Sequence, residues 1–284
     1  MKLSREILTS RSNPKIKWAS SLSSKKTRQN EKSFIAEGKK LTLEALDSKM
    51  PVTHIFVSEA KRDELLSELE AYVDDAAYAQ TEIITVGDGA FEKISTEKSP
   101  EGIIAVIKYL DTLKVKYLDI LNNTDIIYKE EFFLEKSERA LVLSSVRDPG
   151  NLGAVIRSAT AFGVDHIIVT ADSADVYNHK TVRAAMGSLF RTKITVVERL
   201  DAFIRDAQRA GRRVFAAELT DNASEISTLG LNREDIFIIG NEGHGISSDI
   251  SALCDRSAYI PISKKTESLN AAVAAAILMW EQSK

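Results

Sequence analysis

From Arg139 to Lys284 short apolar runs alternate with amphipathic helical patterns, and this alternation constrains the fold more than any other feature. Strands are expected at 140–144, 166–170, 193–197, 213–217, 235–239 and 257–261. Helices are expected between them at about 152–163, 178–187, 200–210, 224–229 and 247–253, with a last one at 268–281. Such a sequence folds as a mostly parallel sheet with helices on both faces. The architecture also fixes where chemistry can happen, because ligands of open α/β sheets bind beyond the carboxyl ends of the strands.

Three loops leave from that edge, each a run of small and polar residues after an apolar strand. The first is Asp148-Pro149-Gly150-Asn151-Leu152-Gly153, which runs into a helix carrying Arg157. Pro presets φ, Gly permits φ > 0, and the helix start presents backbone N–H groups to an anion. The stretch therefore reads as a turn holding a phosphate or a ribose, served by Arg157, or as an ordinary βα turn with a solvated Arg. The second loop is Gly240-Asn241-Glu242-Gly243-His244-Gly245. Its glycines expose main-chain donors and acceptors and let a planar ring lie against the backbone. It is neither a P-loop nor a dinucleotide fingerprint. Glu242 between glycines suits acceptance from a hydroxyl or an Arg, and reads equally as a surface turn acid. His244 reads as a base or, more plainly, as a solvent-facing turn residue. The third loop runs from Ile260-Pro261-Ile262 through Ser263–Glu267 to Ser268-Leu269-Asn270. Ser268 reads as the cap of the last helix and Asn270 as a polar residue inside its first turn, against helix propensity. The helix that follows, Ala271 to Trp280, is almost wholly small and apolar, so it packs in the core or against a second subunit.

The N-terminal part also alternates. Asn13-Pro14 is a helix start with Asn as cap. Ile16, Ala19 and Leu22 line one helix face, and Gln29–Lys32 reads as a turn. Strands at 33–38, 52–57, 82–86 and 102–107 with helices at 39–47, 63–72 and 88–95 make a small α/β layer domain ending near Tyr109. Residues 111–138 read as a linker with local helix around Leu113, Tyr117, Leu118 and Leu121.

Charge separates the two halves. Residues 1–40 carry eleven Lys/Arg and three acids, a net charge of +8, which leaves −11 on the other 244 residues. A basic N-terminal arm on a mildly acidic body suits RNA or DNA contact, and a solvated basic helix is the plainer reading. Arg11, Lys15, Lys17, Lys25, Lys26, Arg28 and Lys39 are the candidate RNA-binding residues. One cysteine, Cys254, excludes an intramolecular disulfide, and the four histidines show no metal-ligand spacing. No apolar run is long enough to span a bilayer and no signal-peptide core opens the chain. These features predict a cytoplasmic protein that needs no metal and no membrane.

Together, Asn151-x-Gly153 with Arg157, Gly240-Asn241-Glu242-Gly243 with Gly245, and Ile260-Pro261-Ile262 with Ser268-Leu269-Asn270 resemble the three motifs of the SpoU (TrmH-type) branch of SPOUT RNA methyltransferases, in order and over about residues 139–284. Arg183–Phe190 resembles a further element of that family. The first 110 residues resemble the L30e-like substrate-binding domain often attached to it, through Thr9–Lys17, Phe34–Gly38 and Glu101–Ile107. The resemblance implies three parts: residues 1–110 as RNA-binding domain, 111–138 as linker, and 139–284 as an α/β methyltransferase domain with a deep trefoil knot. It implies S-adenosylmethionine as cofactor, a ribose 2′-hydroxyl of RNA as target, with ribosomal RNA favoured, and a homodimer with its active site at the interface. Carried over by motif, Asn151, Arg157, Glu242, Ser268 and Asn270 form the polar active-site group. Leu219, Gly240, Asn241, Glu242, Gly243, Gly245, Ile260, Ile262 and Leu269 form the cofactor pocket. Other readings are methylation of transfer RNA, a non-catalytic RNA-binding assembly factor, and an oxidoreductase, which the lack of a dinucleotide fingerprint disfavours.

Overall fold

The computed structural model describes residues 1–4, 6–110, 113–115, 134 and 138–284. The chain forms two compact units: Met1–Leu110 with Asp175–Arg191, and Asp111–Ala174 with Thr192–Lys284.

The first unit is built on a five-stranded sheet in the order β1-β4-β3-β5-β2. Its strands are β1 (Lys2–Leu3), β2 (Ser33–Glu37), β3 (Val52–Ser58), β4 (Glu82–Val86) and β5 (Ile103–Lys108). Its helices begin with α1 (Pro14–Ser21), α2 (Lys25–Glu31), α3 (Lys39–Asp47), α4 (Arg62–Val73) and α5 (Asp88–Ile94). Asn13 caps α1, its Oδ1 accepting from the Lys15 N–H at 2.9 Å, and Pro14 takes the first helical position. Ile16, Ala19 and Leu22 are buried, as the periodicity predicts. The turn expected at Gln29–Lys32 is instead the end of α2. Lys, Arg and Gln favour helix, and the chain reverses at one residue, Lys32, in left-handed conformation with φ 48°. The basic segment is therefore no free arm. β2 is the edge strand of the sheet, paired antiparallel with β5, and Phe34 on it is fully buried.

Asp175–Arg191, which the sequence reading gave wholly to the second domain, packs in the first unit as α7 (His179–Ala185) and a 3-10 turn, Met186–Phe190. Tyr177 explains the placement. Its ring stacks on Phe34 at 4.5 Å and on Tyr109 at 4.1 Å between centroids, and its hydroxyl accepts from the Leu110 N–H at 2.8 Å. Burying an aromatic among aromatics outweighs sequence proximity to its neighbours.

The second unit has an eight-stranded, all-parallel sheet in the order β11-β13-β10-β12-β7-β8-β9-β6. The strands are β6 (Leu113–Val115), β7 (Ala140–Leu143), β8 (His166–Thr170), β9 (Lys193–Val197), β10 (Val214–Ala217), β11 (Ser224–Glu225), β12 (Ile236–Ile239) and β13 (Arg256–Tyr259). The helices are α6 (Pro149–Ala161), α8 (Leu200–Arg209), α9 (Ser248–Ser251) and α10 (Ala271–Gln282). β7 and β12 are buried along their whole length, as strands covered on both faces must be. Two expected helices are corrected. Leu113–Val115 is an edge strand beside β9, while the rest of the linker reading falls outside the described residues. Residues 224–229 form β11 and a single 3-10 turn, because the Thr228 hydroxyl donates to the Glu225 carbonyl and the Ser227 hydroxyl to its carboxylate. Such local bonds compete with helix.

The register aligns the strand ends. Leu143 lies opposite Val169 and Ile239, and Ala217 opposite Ile239 and Ala258. The loops after β7, β8, β10, β12 and β13 therefore leave one edge together.

Candidate active site

Two helix N-termini meet at this edge. Asp148 caps α6, its Oδ1 accepting from the Asn151 N–H at 2.7 Å, and this leaves the Asn151 side chain free to point away. Asn270 caps α10, its Oδ1 accepting from the N–H groups of Ala272 at 2.9 Å and Val273 at 3.3 Å. The last helix therefore starts three residues later than the sequence suggests. Asn270 is the cap rather than an interior residue, and Ser268 is not the cap. Asn is as good a cap as Ser, and here it is the residue placed to reach the second and third amides.

These caps fix a directed chain of hydrogen bonds. Asn270 has committed its Oδ1 to the helix, so it can only donate, and its Nδ2 gives to Asn151 Oδ1 at 2.8 Å. Asn151 then has only its own Nδ2 to offer, and donates to Glu242 Oε1 at 2.9 Å. An ionised carboxylate can only accept, so both ends of the chain enforce the same orientation. Glu242 Oε2 also accepts from the Arg147 N–H at 3.4 Å. Partial burial pushes the Glu242 carboxyl up, but the Asn151 amide and the backbone N–H groups of Glu242, Arg147 and Asp148 outweigh it and hold the group below its ordinary value. Each amide retains one N–H, and the carboxylate retains lone pairs. The cluster can thus offer donors and an anionic acceptor to one hydroxyl.

The glycine loop is tighter than its composition suggests. Asn241 and Gly245 exchange two backbone hydrogen bonds, both 2.9 Å. Asn241 Oδ1 accepts from the N–H groups of Gly243 at 2.9 Å and His244 at 3.1 Å. Its Nδ2 donates to the Ser145 carbonyl at 2.8 Å. The main-chain donors expected to face a ligand from residues 241 and 243–245 are thus spent inside the loop, and Asn241 shapes the loop. Gly240 is required by space: a Cβ there would lie 2.3 Å from the Gly245 carbonyl carbon and 2.5 Å from the Ile246 nitrogen. Gly245 has φ +67°, which favours glycine.

Of the remaining candidates for a nucleoside-bearing cofactor, Leu219 is 73% exposed two residues beyond β10. Ile260, Ile262 and Leu269 are half-buried. An apolar side chain left in water beside a strand end suits cover by a flat ring, so these residues fit a purine-bearing group. Among the described residues no group of three or more His, Cys, Asp and Glu could hold a metal ion, and no helix is long and apolar enough to cross a membrane.

Arg157 and Ser268 stand outside the hydrogen-bonded chain. Arg157 is exposed, and its side chain has no hydrogen-bond partner among the described residues. It lies six residues after Asn151, about 9 Å along the axis. Ser268 is exposed, and its carbonyl accepts from the Thr266 hydroxyl at 3.2 Å. Arg147 and Ser145 were missed by sequence reading. Neither belongs to a periodic pattern, and only the folded loop shows the Arg147 amide on Glu242 and the Ser145 carbonyl under Asn241.

In the first unit, Arg11, Lys17, Lys25 and Lys26 are exposed. Lys15 pairs with Glu82 at 2.5 Å and Lys39 with Glu68 at 2.7 Å. Arg28 is removed from the RNA-binding set. It is 2% exposed, and its guanidinium donates to the carbonyls of Leu22 and Ser23 and to Asp175 Oδ2. A guanidinium buried this deeply and paired with Asp175 is out of reach of a phosphate.

Comparison with known proteins agrees with this geometry. Residues 138–280 match the SpoU rRNA Methylase family and residues 13–105 the MRM3-like substrate binding domain. The chain is 31% identical over 274 residues to the 23S rRNA (guanosine(2553)-2'-O)-methyltransferase RlmP of Bacillus subtilis (strain 168), covering 96% of this chain and 97% of that protein. It is 34% identical over 138 residues to the 23S rRNA (uridine(2479)-2'-O)-methyltransferase of Streptomyces viridochromogenes, 47% of this chain and 48% of that one. The fold superposes on an AdoMet-bound rRNA methyltransferase from Sinorhizobium meliloti with TM-score 0.77 and 26% identity, covering 98% of this chain and 97% of the other. With the family's motifs gathered at one sheet edge and its model matching across them, the chain belongs to the SpoU rRNA methylase family.

Proposed function

We propose that this chain methylates a ribose 2′-hydroxyl in ribosomal RNA, with S-adenosylmethionine as methyl donor. The observation that carries the reading is the directed Asn270–Asn151–Glu242 chain, which joins residues 119 and 91 positions apart at the ligand edge of the sheet. Family membership and the relatives' named reactions support the chemistry.

When bound, the cofactor supplies an electrophilic methyl on a sulfonium. The protein's task is to position the hydroxyl and help it lose its proton, and orientation alone can supply roughly 7–11 kcal/mol of such a barrier. The spare N–H groups of Asn151 and Asn270 hold the ribose oxygens, and the ionised Glu242 fixes both amides in donating orientation. Leu219, Ile260, Ile262 and Leu269 cover the cofactor's purine, while Gly240, Asn241, Gly243 and Gly245 shape the wall against which it lies. Ser268 lines the same loop. Arg157 grips the phosphate beside the target. Its guanidinium is always charged and matches phosphate bidentately, which makes it a poor base and a good clamp.

The offset of Arg157 from the amide chain suits a site completed by a second copy. Val273 is 48% exposed and Trp280 53% exposed on α10, which packs on α6, and such a face supports a homodimer. Cytoplasmic location, the deep trefoil knot, the three-part division at 110 and 138, and RNA contact through Arg11, Lys15, Lys17, Lys25, Lys26 and Lys39 belong to the same reading. The test is ribose-methylation mapping of total RNA with and without this chain. One ribosomal 2′-O-methyl group should vanish. Loss of a transfer-RNA mark instead would move the target, and an unchanged map with no calorimetric binding of S-adenosylmethionine would refute the enzyme.

A further inference from the structure

Asp172 lies in the loop after β8, apart from every residue assigned above, yet it sits at the root of the network that places Glu242. Its Oδ2 accepts from the Ser145 hydroxyl at 2.5 Å, and its Oδ1 accepts from the Thr170 hydroxyl at 2.6 Å. The same Thr170 oxygen accepts from the Ser145 N–H at 2.8 Å. Ser145 is thus held at both its amide and its side chain. It needs holding, because its φ is 57°, a left-handed conformation that a residue with a Cβ seldom adopts. That conformation decides where the Ser145 carbonyl points, and the carbonyl receives Asn241 Nδ2 at 2.8 Å. Asn241 Oδ1 in turn gathers the amides of Gly243 and His244 around Glu242.

We infer that Asp172 is a positioning residue for this site: by clamping Ser145 in the left-handed conformation it holds the carbonyl that anchors Asn241, and so aims Glu242 at Asn151. The device rests on the proposed activity for its purpose but not for its existence. Asp172 touches neither of the amides nor Glu242, so its hydrogen bonds reach the site through Ser145, directly and by way of Thr170. This makes a specific rescue available. Glycine adopts φ > 0 without cost, so Ser145→Gly should remove the need for the clamp.

The experiment compares the full chain with Asp172→Ala and with Asp172→Ala/Ser145→Gly. The first readout is hydrogen exchange at the Gly243 and His244 amides. Losing a conformation of this kind should speed exchange about tenfold in Asp172→Ala, and the double variant should return toward the wild-type rate. The second is turnover against pH on total RNA from cells lacking this chain, with S-adenosylmethionine as donor. The acid limb should move to higher pH in Asp172→Ala, since Glu242 loses hydrogen bonds that keep it ionised, and should move back in the double variant. Unchanged exchange at both amides would overturn the inference, as would a loss that Ser145→Gly does not relieve. If the exchange pattern holds while the wild-type chain transfers no methyl, the proposed reaction fails and the positioning device stands.

Discussion

Asn151→Asp is the sharpest perturbation of the site, because it keeps the shape and changes one atom. The Nδ2 that donates to Glu242 Oε1 at 2.9 Å becomes an oxygen that, ionised, cannot donate. Two carboxylates then face each other with charge centres about 4 Å apart, which costs about 1 kcal/mol in water and about 4 kcal/mol at the effective dielectric near a protein surface. Both groups reach solvent, so the lower figure governs. The lost hydrogen bond adds about 1 kcal/mol. The sum raises the pH at which the pair takes up its first proton by about one to two units. The stability effect follows in sign. In the wild type the Glu242 pKa is depressed, so its contribution is present above the unfolded-state value and is lost as pH falls through the folded value. In the variant the pair is raised, so the deficit is about 2 kcal/mol at neutral pH and fades as the pH drops. Carbon-detected titration of labelled Glu side chains reads the shift, and urea unfolding at two pH values reads the deficit. A Glu242 titration unmoved by the substitution would refute the directed chain of hydrogen bonds.

Further outcomes follow from other residues. Arg157→Lys keeps the charge but loses the fork, and should lose most turnover; near-normal kcat on RNA would end the bidentate role. Gly240→Ala puts a carbon within 2.3 Å of the Gly245 backbone, so the loop cannot close, and S-adenosylmethionine binding should disappear from calorimetry while the far-UV spectrum is kept. Arg28→Ala strands Asp175, whose side chain is 15% exposed, and should cost about 3–5 kcal/mol in chemical unfolding. Replacing Lys17, Lys25 and Lys26 by Gln should leave stability unchanged and flatten the salt dependence of RNA affinity by about two to three in slope. Removing residues 1–40 would be a poor substitute, because α1, α2 and β2 belong to the packed first unit.

Much of this protein was legible in its sequence, because the signals are local. Buried parallel strands must be apolar along their length, and β7, β8, β9, β10 and β12 lie within a residue of where their runs predict. Asn13-Pro14 announced α1 because a cap and a pre-set φ act on adjacent residues. The three loops were identifiable because glycine, asparagine and proline mark turns whatever surrounds them. What the sequence could not determine depends on neighbours far along the chain. Arg28 has the composition of an RNA contact, and only the arrival of Asp175 buries it. Tyr177 belongs by sequence to the second unit, and by packing to the first. Asn270 reads by sequence as an interior helix residue, and only the fold brings its Oδ1 to the Ala272 and Val273 amides. The orientation of the Asn151 amide is set by a helix cap on one side and a carboxylate on the other, 119 and 91 residues away. Ser145 carries no mark of its left-handed backbone, since that conformation is held by Thr170 at the end of the next strand and by Asp172 in the loop after it. Local physics determined the elements and the edge at which chemistry can happen. Tertiary contacts decided which side chains there are free to act, because hydrogen-bond capacity is limited and the fold chooses where it is spent.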